Sequence, residues 1–164
     1  MEIVLEPVTL ERMHEFDRGF RRDPDTFSDM SLFSEYRYSP ETTQKRFERY
    51  GAPDRRNFFI LSEGRPIGEI CLKHINWEKM EGELSIHLQN DAVKNRGAGT
   101  RAERLLLAYA FEELRLNAVT ARVIPKNTRS RHVLEKTGFA FIRQEGGFLH
   151  YRLSRGEYTA GGKR

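Results

Sequence analysis

The most constraining stretch of the chain is Lys94-Asn95-Arg96-Gly97-Ala98-Gly99-Thr100, which runs straight into the helix-forming residues 101 to 115. Just before it, Glu83-Leu84-Ser85-Ile86-His87-Leu88 alternates apolar and polar side chains with the period of a strand. A strand, a basic loop with two glycines and a long helix together make a place for an anion. The first turn of a helix carries backbone N–H groups without internal acceptors, and the helix dipole adds partial positive charge there. Gly97 and Gly99 let the backbone approach a ligand, and Lys94, Arg96 and Arg101 add full charges at the same end. The ligand this points to is a phosphate or pyrophosphate. Glycines before a helix also serve as plain punctuation, so the order of the other segments has to decide.

Those segments read as one domain. Residues 2 to 8 form a strand, and Thr9 caps a helix in which Leu10, Met13, Phe16 and Phe20 recur at helical spacing until Pro24. Residues 23 to 38 are an aromatic-rich connection, either a loop that tucks its rings onto the core or a wall over a pocket. Ser39-Pro40-Glu41 starts a second helix that runs to about Tyr50. Residues 57 to 63, 67 to 75 and the strand ending at Leu88 follow as three successive antiparallel strands. The helix from residue 97 to 116 is expected to bury Ala102, Leu105, Leu106, Tyr109, Ala110 and Leu114, and to turn Glu103, Glu112 and Arg115 to water. Residues 119 to 124 rejoin the sheet in parallel through that crossover. Asn127 caps a short helix that Gly138 ends, and residues 139 to 144 and 148 to 153 close the sheet as a hairpin. The expected fold is α+β: a mixed, mostly antiparallel sheet of about seven strands with about four helices. A single domain is expected over residues 1–153, with a flexible polar tail over 154–164.

Composition narrows the function classes. The 164 residues are 38% hydrophobic and 32% charged, as in a globular chain. No apolar run approaches the roughly 20 residues that cross a bilayer, and the N-terminus has no signal-peptide pattern. Cys71 is the only cysteine, which excludes a disulfide framework and makes a reducing, cytoplasmic setting the default expectation. The histidines lack a third partner at ligand spacing, so no metal is expected. A formal net charge of +4 suits nucleic acid or a polyanionic cofactor equally. The arginines are spread along the chain without an aromatic-basic recognition motif, so nucleic acid ranks last.

In this order the chain resembles the GNAT acetyltransferases, and among them the ribosomal-protein N-terminal acetyltransferase-like branch. The family's pyrophosphate loop, (Gln/Arg)-x-x-Gly-x-(Gly/Ala), is matched by Lys94-x-x-Gly97-x-Gly99, with lysine keeping the charge. Asn127-x-x-Ser130, continued by Glu135-Lys136-x-Gly138-Phe139, is similar to the second motif of that branch. Tyr109-Ala110-Phe111 and Glu83 within Glu81-Gly82-Glu83-Leu84-Ser85-Ile86 match it too. The resemblance spans residues 2 to 153, with 20 to 56 matching in outline only. It implies the acyl-CoA acyltransferase fold and direct transfer of acetyl from acetyl-CoA to a primary amine, on a protein or peptide N-terminus or a small molecule. It also implies that backbone N–H groups of Arg96, Gly97, Ala98, Gly99 and Thr100 hold the pyrophosphate, beside Lys94. The pantetheine arm then lies along Ile86-His87-Leu88, where this strand splays from the one containing Val123, with Asn127 on the other side. A backbone N–H of His87 or Leu88 would stabilise the developing oxyanion.

Two proton tasks remain. Glu83 is the expected base for the amine, with Glu69 on the neighbouring strand in reserve. Many family members place a tyrosine seven residues after the capping asparagine, where this chain has Leu134, which leaves Ser130 as donor to the leaving thiolate. That departure supports an alternative, a non-catalytic acyl-CoA-binding protein of the same fold. The acceptor cleft is expected from residues 20 to 38, 76 to 80 and 145 to 150, and the family's habits are compatible with a homodimer.

Overall fold

The expected order of elements is present in the computed structural model, which describes residues 1–158. β1 (Ile3–Pro7) leads to α1 (Leu10–Gly19), two 3-10 turns (Pro24–Thr26 and Met30–Leu32), α2 (Pro40–Arg49), then β2 (Arg56–Ser62), β3 (Arg65–Asn76) and β4 (Glu81–Leu88). After a further 3-10 turn (Asp91–Val93) come α3 (Ala98–Ala108), β5 (Ala118–Val123), α4 (Thr128–Lys136), β6 (Ala140–Glu145) and β7 (Phe148–Ser154). Local chemistry accounts for the starts: Thr9, Ser39 and Asn127 cap α1, α2 and α4, their side chains accepting from the N–H of Arg12, Thr42 and Ser130. The long helix departs from expectation after Ala108, where a π turn (Tyr109–Glu113) replaces regular helix. The wider turn lets Phe111 and Leu116 both bury.

One seven-stranded sheet runs in the order β1-β2-β3-β4-β5-β7-β6, antiparallel except between β4 and β5. That parallel pairing covers Glu81–Ala118, Gly82–Val119 and Glu83–Thr120 and then stops, although β4 continues to Leu88 and β5 to Val123. The expected splay is therefore a fork in the middle of the sheet. The larger core lies on the α3 face, where Ile70, Leu72 and Leu84 meet Ala102, Leu106 and Ala110. A smaller one, of Met13, Phe16, Phe59 and Leu61, lies on the other face with Phe47 packed against it. Order continues past the boundary expected at Leu153. Ser154 ends β7, and the Tyr158 ring stacks on Phe111 with centroids 4.9 Å apart while its hydroxyl donates to Glu112. The rest of the expected tail, residues 159–164, lies outside the described residues.

A buried polar cluster joins α1, α2 and β3. The Arg46 guanidinium donates to Asp17 and, at 2.7 Å, to Glu69, while the Thr43 hydroxyl also donates to Asp17. Removing one partner from such a cluster leaves charges unpaired out of water, which costs about 3–5 kcal/mol. Arg46→Ala is therefore expected to lower the unfolding free energy by about that amount in urea titration. A loss below about 1 kcal/mol would show that water reaches and solvates the two carboxylates.

Candidate active site

The N-terminus of α3 differs from those of α1, α2 and α4. Gly97 occupies its cap position in the left-handed region, at φ 78°, and no side chain caps the helix. The first-turn N–H groups of Ala98, Gly99 and Thr100 are therefore left for something outside the helix. Asn95 is also left-handed, at φ 59°, so the loop changes direction twice in three residues. A Cβ on Gly97 would meet nothing within 4 Å; glycine is required there by the backbone angle rather than by space.

This helix end opens onto a cleft of about 960 Å³. Of the expected cofactor residues, Ile86, His87, Leu88, Lys94, Gly97, Gly99, Thr100 and Asn127 line it, and Ser130 does too. Arg96 is exposed and Ala98 is buried, and neither lines the cleft with its side chain. Along the unpaired part of β4, every second N–H and C=O faces the open side of the fork, where an extended chain can pair with them. Leu134, at the position where many members of the resembled family have tyrosine, is core: it is 2% exposed and packs in the larger cluster. Ser130, one turn earlier, faces the cleft instead.

Several charges are placed differently from expectation. The Lys94 ammonium is buried and already paired, at 3.0 Å to Asp23 and 2.8 Å to Asp91. Arg101 donates to the Met1 carbonyl. Asp23 also meets Arg129 at 3.5 Å, so the segment after α1 is tied to both the loop and α4 and forms a wall of the cleft with Phe20, Asp25 and Phe27. Burial works against ionising Asp23, but the Asp25 N–H, Lys94 and Arg129 outweigh it and hold its carboxyl below the usual range. Glu103, expected to face water, is 1% exposed and lines the cleft, whereas Leu105 is 41% exposed. α4 packs against this side of α3, and the Thr137 hydroxyl donates to the Glu103 carboxyl at 3.0 Å. Burial pushes that carboxyl up to about 8 despite this hydrogen bond. A largely neutral Glu103 at pH 7 spares a polyanionic ligand one repulsive charge.

Glu83 sits at the fork but lines a second, smaller cleft of about 420 Å³ rather than the large one. Its carboxylate accepts from Arg122 Nε at 3.2 Å and His74 Nδ1 at 3.2 Å, with Lys73 at 4.0 Å. A register shift in β3, with His74 at φ 52°, brings that ring to Glu83. Glu69, the reserve base, is held by Arg46. His87 shares a strand face with Glu83 and Ser85 and is open to the large cleft. Crowding by protein, with the Lys73 and Arg46 charges, holds its imidazole below the ordinary value. The alternation that selected Glu83 also placed His87 on this face; the tethering of Glu83 was the part not visible in it. Trp77 packs against Arg56, its indole N–H donating to the Pro53 carbonyl, and Cys71 is buried. Among the described residues, no group of three His, Cys, Asp or Glu is placed to hold a metal, and no helix is long and apolar enough to cross a membrane.

The fold agrees with what comparison finds. A family model described as acetyltransferase (GNAT) domain matches residues 2–140, and the chain belongs to that family. Among its relatives, the Bacillus subtilis (strain 168) protein named Probable N-acetyltransferase YjcK is 34% identical over 108 residues, covering 62% of this chain and 60% of that protein. The spermidine N(1)-acetyltransferase of Escherichia coli (strain K12) is 28% identical over 103 residues, covering 63% and 53%. The matched part thus spans between half and three fifths of these curated relatives. The Vibrio cholerae spermidine N-acetyltransferase, solved in complex with CoA and spermine, shares the fold with a TM-score of 0.75 at 18% identity, over 95% of this chain and 97% of that one.

The buried Glu103 generates a stability prediction. In the unfolded chain its proton leaves near 4.5, in the folded one only near 8, so its contribution is full below about 4.5 and is lost as pH rises to about 8. Glu103→Gln does not titrate. Its melting temperature relative to the natural chain is expected to rise steadily between pH 5 and pH 8 in calorimetry; a difference independent of pH would contradict the burial of a protonated carboxyl.

Proposed function

We propose that this chain is an N-acetyltransferase that moves acetyl from acetyl-CoA directly to a primary amine. One observation carries the reading: the uncapped N-terminus of α3 and the unpaired edge of β4 border the same cleft. The donor set suits the ligand. Backbone N–H groups of residues 97–100 take a pyrophosphate, the edge of Ile86-His87-Leu88 pairs with an amide-bearing arm, and Asn127 and Ser130 close the opposite side. When bound, acetyl-CoA supplies an activated thioester carbonyl.

The residues of the chain then have three tasks. A backbone N–H of His87 or Leu88 donates to the carbonyl oxygen as negative charge develops on it. An ammonium with pKa near 10 must lose a proton before its nitrogen attacks. His87, kept neutral and open to the cleft, takes that proton directly or through a water; Glu83, tethered by Arg122, Lys73 and the His74 ring, orients the amine instead. As the new C–N bond forms the C–S bond breaks, and the thiolate receives a proton or a hydrogen bond from the Ser130 side of the cleft. Holding amine and thioester together supplies much of the acceleration.

Leu134 in the core favours a second reading, a binder of acyl-CoA without turnover. Following CoA release over a panel of amines separates the two: release above the no-amine background supports the enzyme, and tight binding without it supports the binder. In the enzyme, kcat/KM should rise through a pKa below 6.5 and level off by neutral pH, because the base works only when neutral. His87→Gln is expected to lower kcat by about 10²-fold or more and to remove that acidic limb. Glu83→Gln should cost less and keep the limb; the reverse pattern would return the base role to Glu83.

A further inference from the structure

The second cleft meets the fork from its own side, holding the last paired residues, Glu83 and Thr120, and Arg122 beyond them. Three guanidinium groups line it, from Arg122, Arg143 and Arg152, and one carboxylate, that of Glu83. The strand register sets Arg122 opposite His150 and His150 opposite Arg143, so these side chains form one row across β5, β7 and β6, leading away from the fork. Arg152 is occupied, donating through both terminal nitrogens to Glu81. Arg122 and Arg143 are occupied only in part. Arg122 uses only Nε, on Glu83, and Arg143 only Nε, on Glu145 at 3.4 Å; their terminal nitrogens have no hydrogen-bond partner among the described residues. The Arg122 guanidinium also lies over the Phe148 ring, 4.8 Å from its centroid, which restrains its plane.

We infer that the second cleft binds the acetyl acceptor and selects amines that carry a carboxylate, with the amine at the fork and the carboxylate on the Arg122–Arg143 row. This rests on the acetyltransferase reading. Planar guanidinium forks with free terminal N–H groups are built for bidentate carboxylate recognition. A polyamine needs the opposite, carboxylates without cationic partners, and the one carboxylate lining this cleft already has two, Arg122 and Lys73, besides a hydrogen bond from His74. The carboxylate belongs either to a free amino acid or to an acidic side chain beside a peptide N-terminus.

The test is a comparison of kcat/KM, in the natural chain and in Arg122→Met and Arg143→Met, for four kinds of acceptor. These are free amino acids, the same amino acids as amides, C-terminally amidated tetrapeptides with an acidic or a neutral second residue, and spermidine. The expected result is at least a tenfold preference for the carboxylate-bearing member of one matched pair; which pair responds identifies the source. Each arginine variant should collapse that ratio, a readout that a merely structural arginine would not move selectively. Preference for spermidine over every carboxylate-bearing acceptor, no transfer to any of them, or a ratio unchanged in both variants overturns the inference while leaving acetyl-CoA binding intact. Failure to bind acetyl-CoA in calorimetric titration overturns the acetyltransferase reading along with it.

Discussion

The fork between β4 and β5 is the constraint on which the rest of the molecule depends. Two parallel strands that pair over three residues and then stop leave backbone donors and acceptors unmatched in the middle of a sheet, away from its edges. Such groups are costly to leave without partners, so at the fork they are met by water from the adjoining clefts or by a polar, extended ligand. α3 is the crossover that links the two strands, and its N-terminus therefore opens beside the fork. One connection thus places an uncapped helix end and an unpaired strand edge together. The large cleft is bordered by α3, α4 and the segment after α1, and the arginine-lined cleft by β5, β6 and β7 together with Glu83 at the fork.

Charge around the large cleft is arranged by cancellation more than by accumulation. The Lys94 ammonium is offset by Asp23 and Asp91, and Glu103 is kept largely protonated by burial. What remains for a ligand is neutral donors on the backbone, whose directions are fixed by Gly97 and the helix, together with the cationic side chains of Arg21, Arg22 and Lys136 along the lining. Preorganised N–H groups of this kind bind without side-chain rearrangement, and they confer less salt dependence than free surface lysines would. The Asp23–Arg129 contact adds a mechanical element, tying the segment after α1 to α4 across the cleft.

Much of this architecture was legible in the order of residues. The caps at Thr9, Ser39 and Asn127, the strand periods and the glycine loop are local features, and local chemistry decides them. The tertiary partners were not legible. Ala102, Leu106 and Ala110 are buried as expected, but Glu103 and Leu105 exchanged their expected roles because the buried arc of α3, set by the sheet and α4 together, is rotated toward Glu103 and Leu107. Lys94 stands at the loop, but its carboxylate partner Asp23 is remote in sequence. Glu83 stood on the expected strand face, yet the register shift that delivers His74, and the pairing of β5 that delivers Arg122, lie in other elements. The row of Arg122, His150 and Arg143 exists only once three strand registers are known.

The most direct test is amide hydrogen exchange of the natural chain with and without saturating acetyl-CoA, resolved to single residues. The account predicts new protection at two separated places at once, alternate amides along residues 84–88 and the first-turn amides of residues 97–100, with little change in β1 and β2. Protection confined to one of them, or spread evenly over the whole domain, would contradict the joint use of fork and helix end as one binding site.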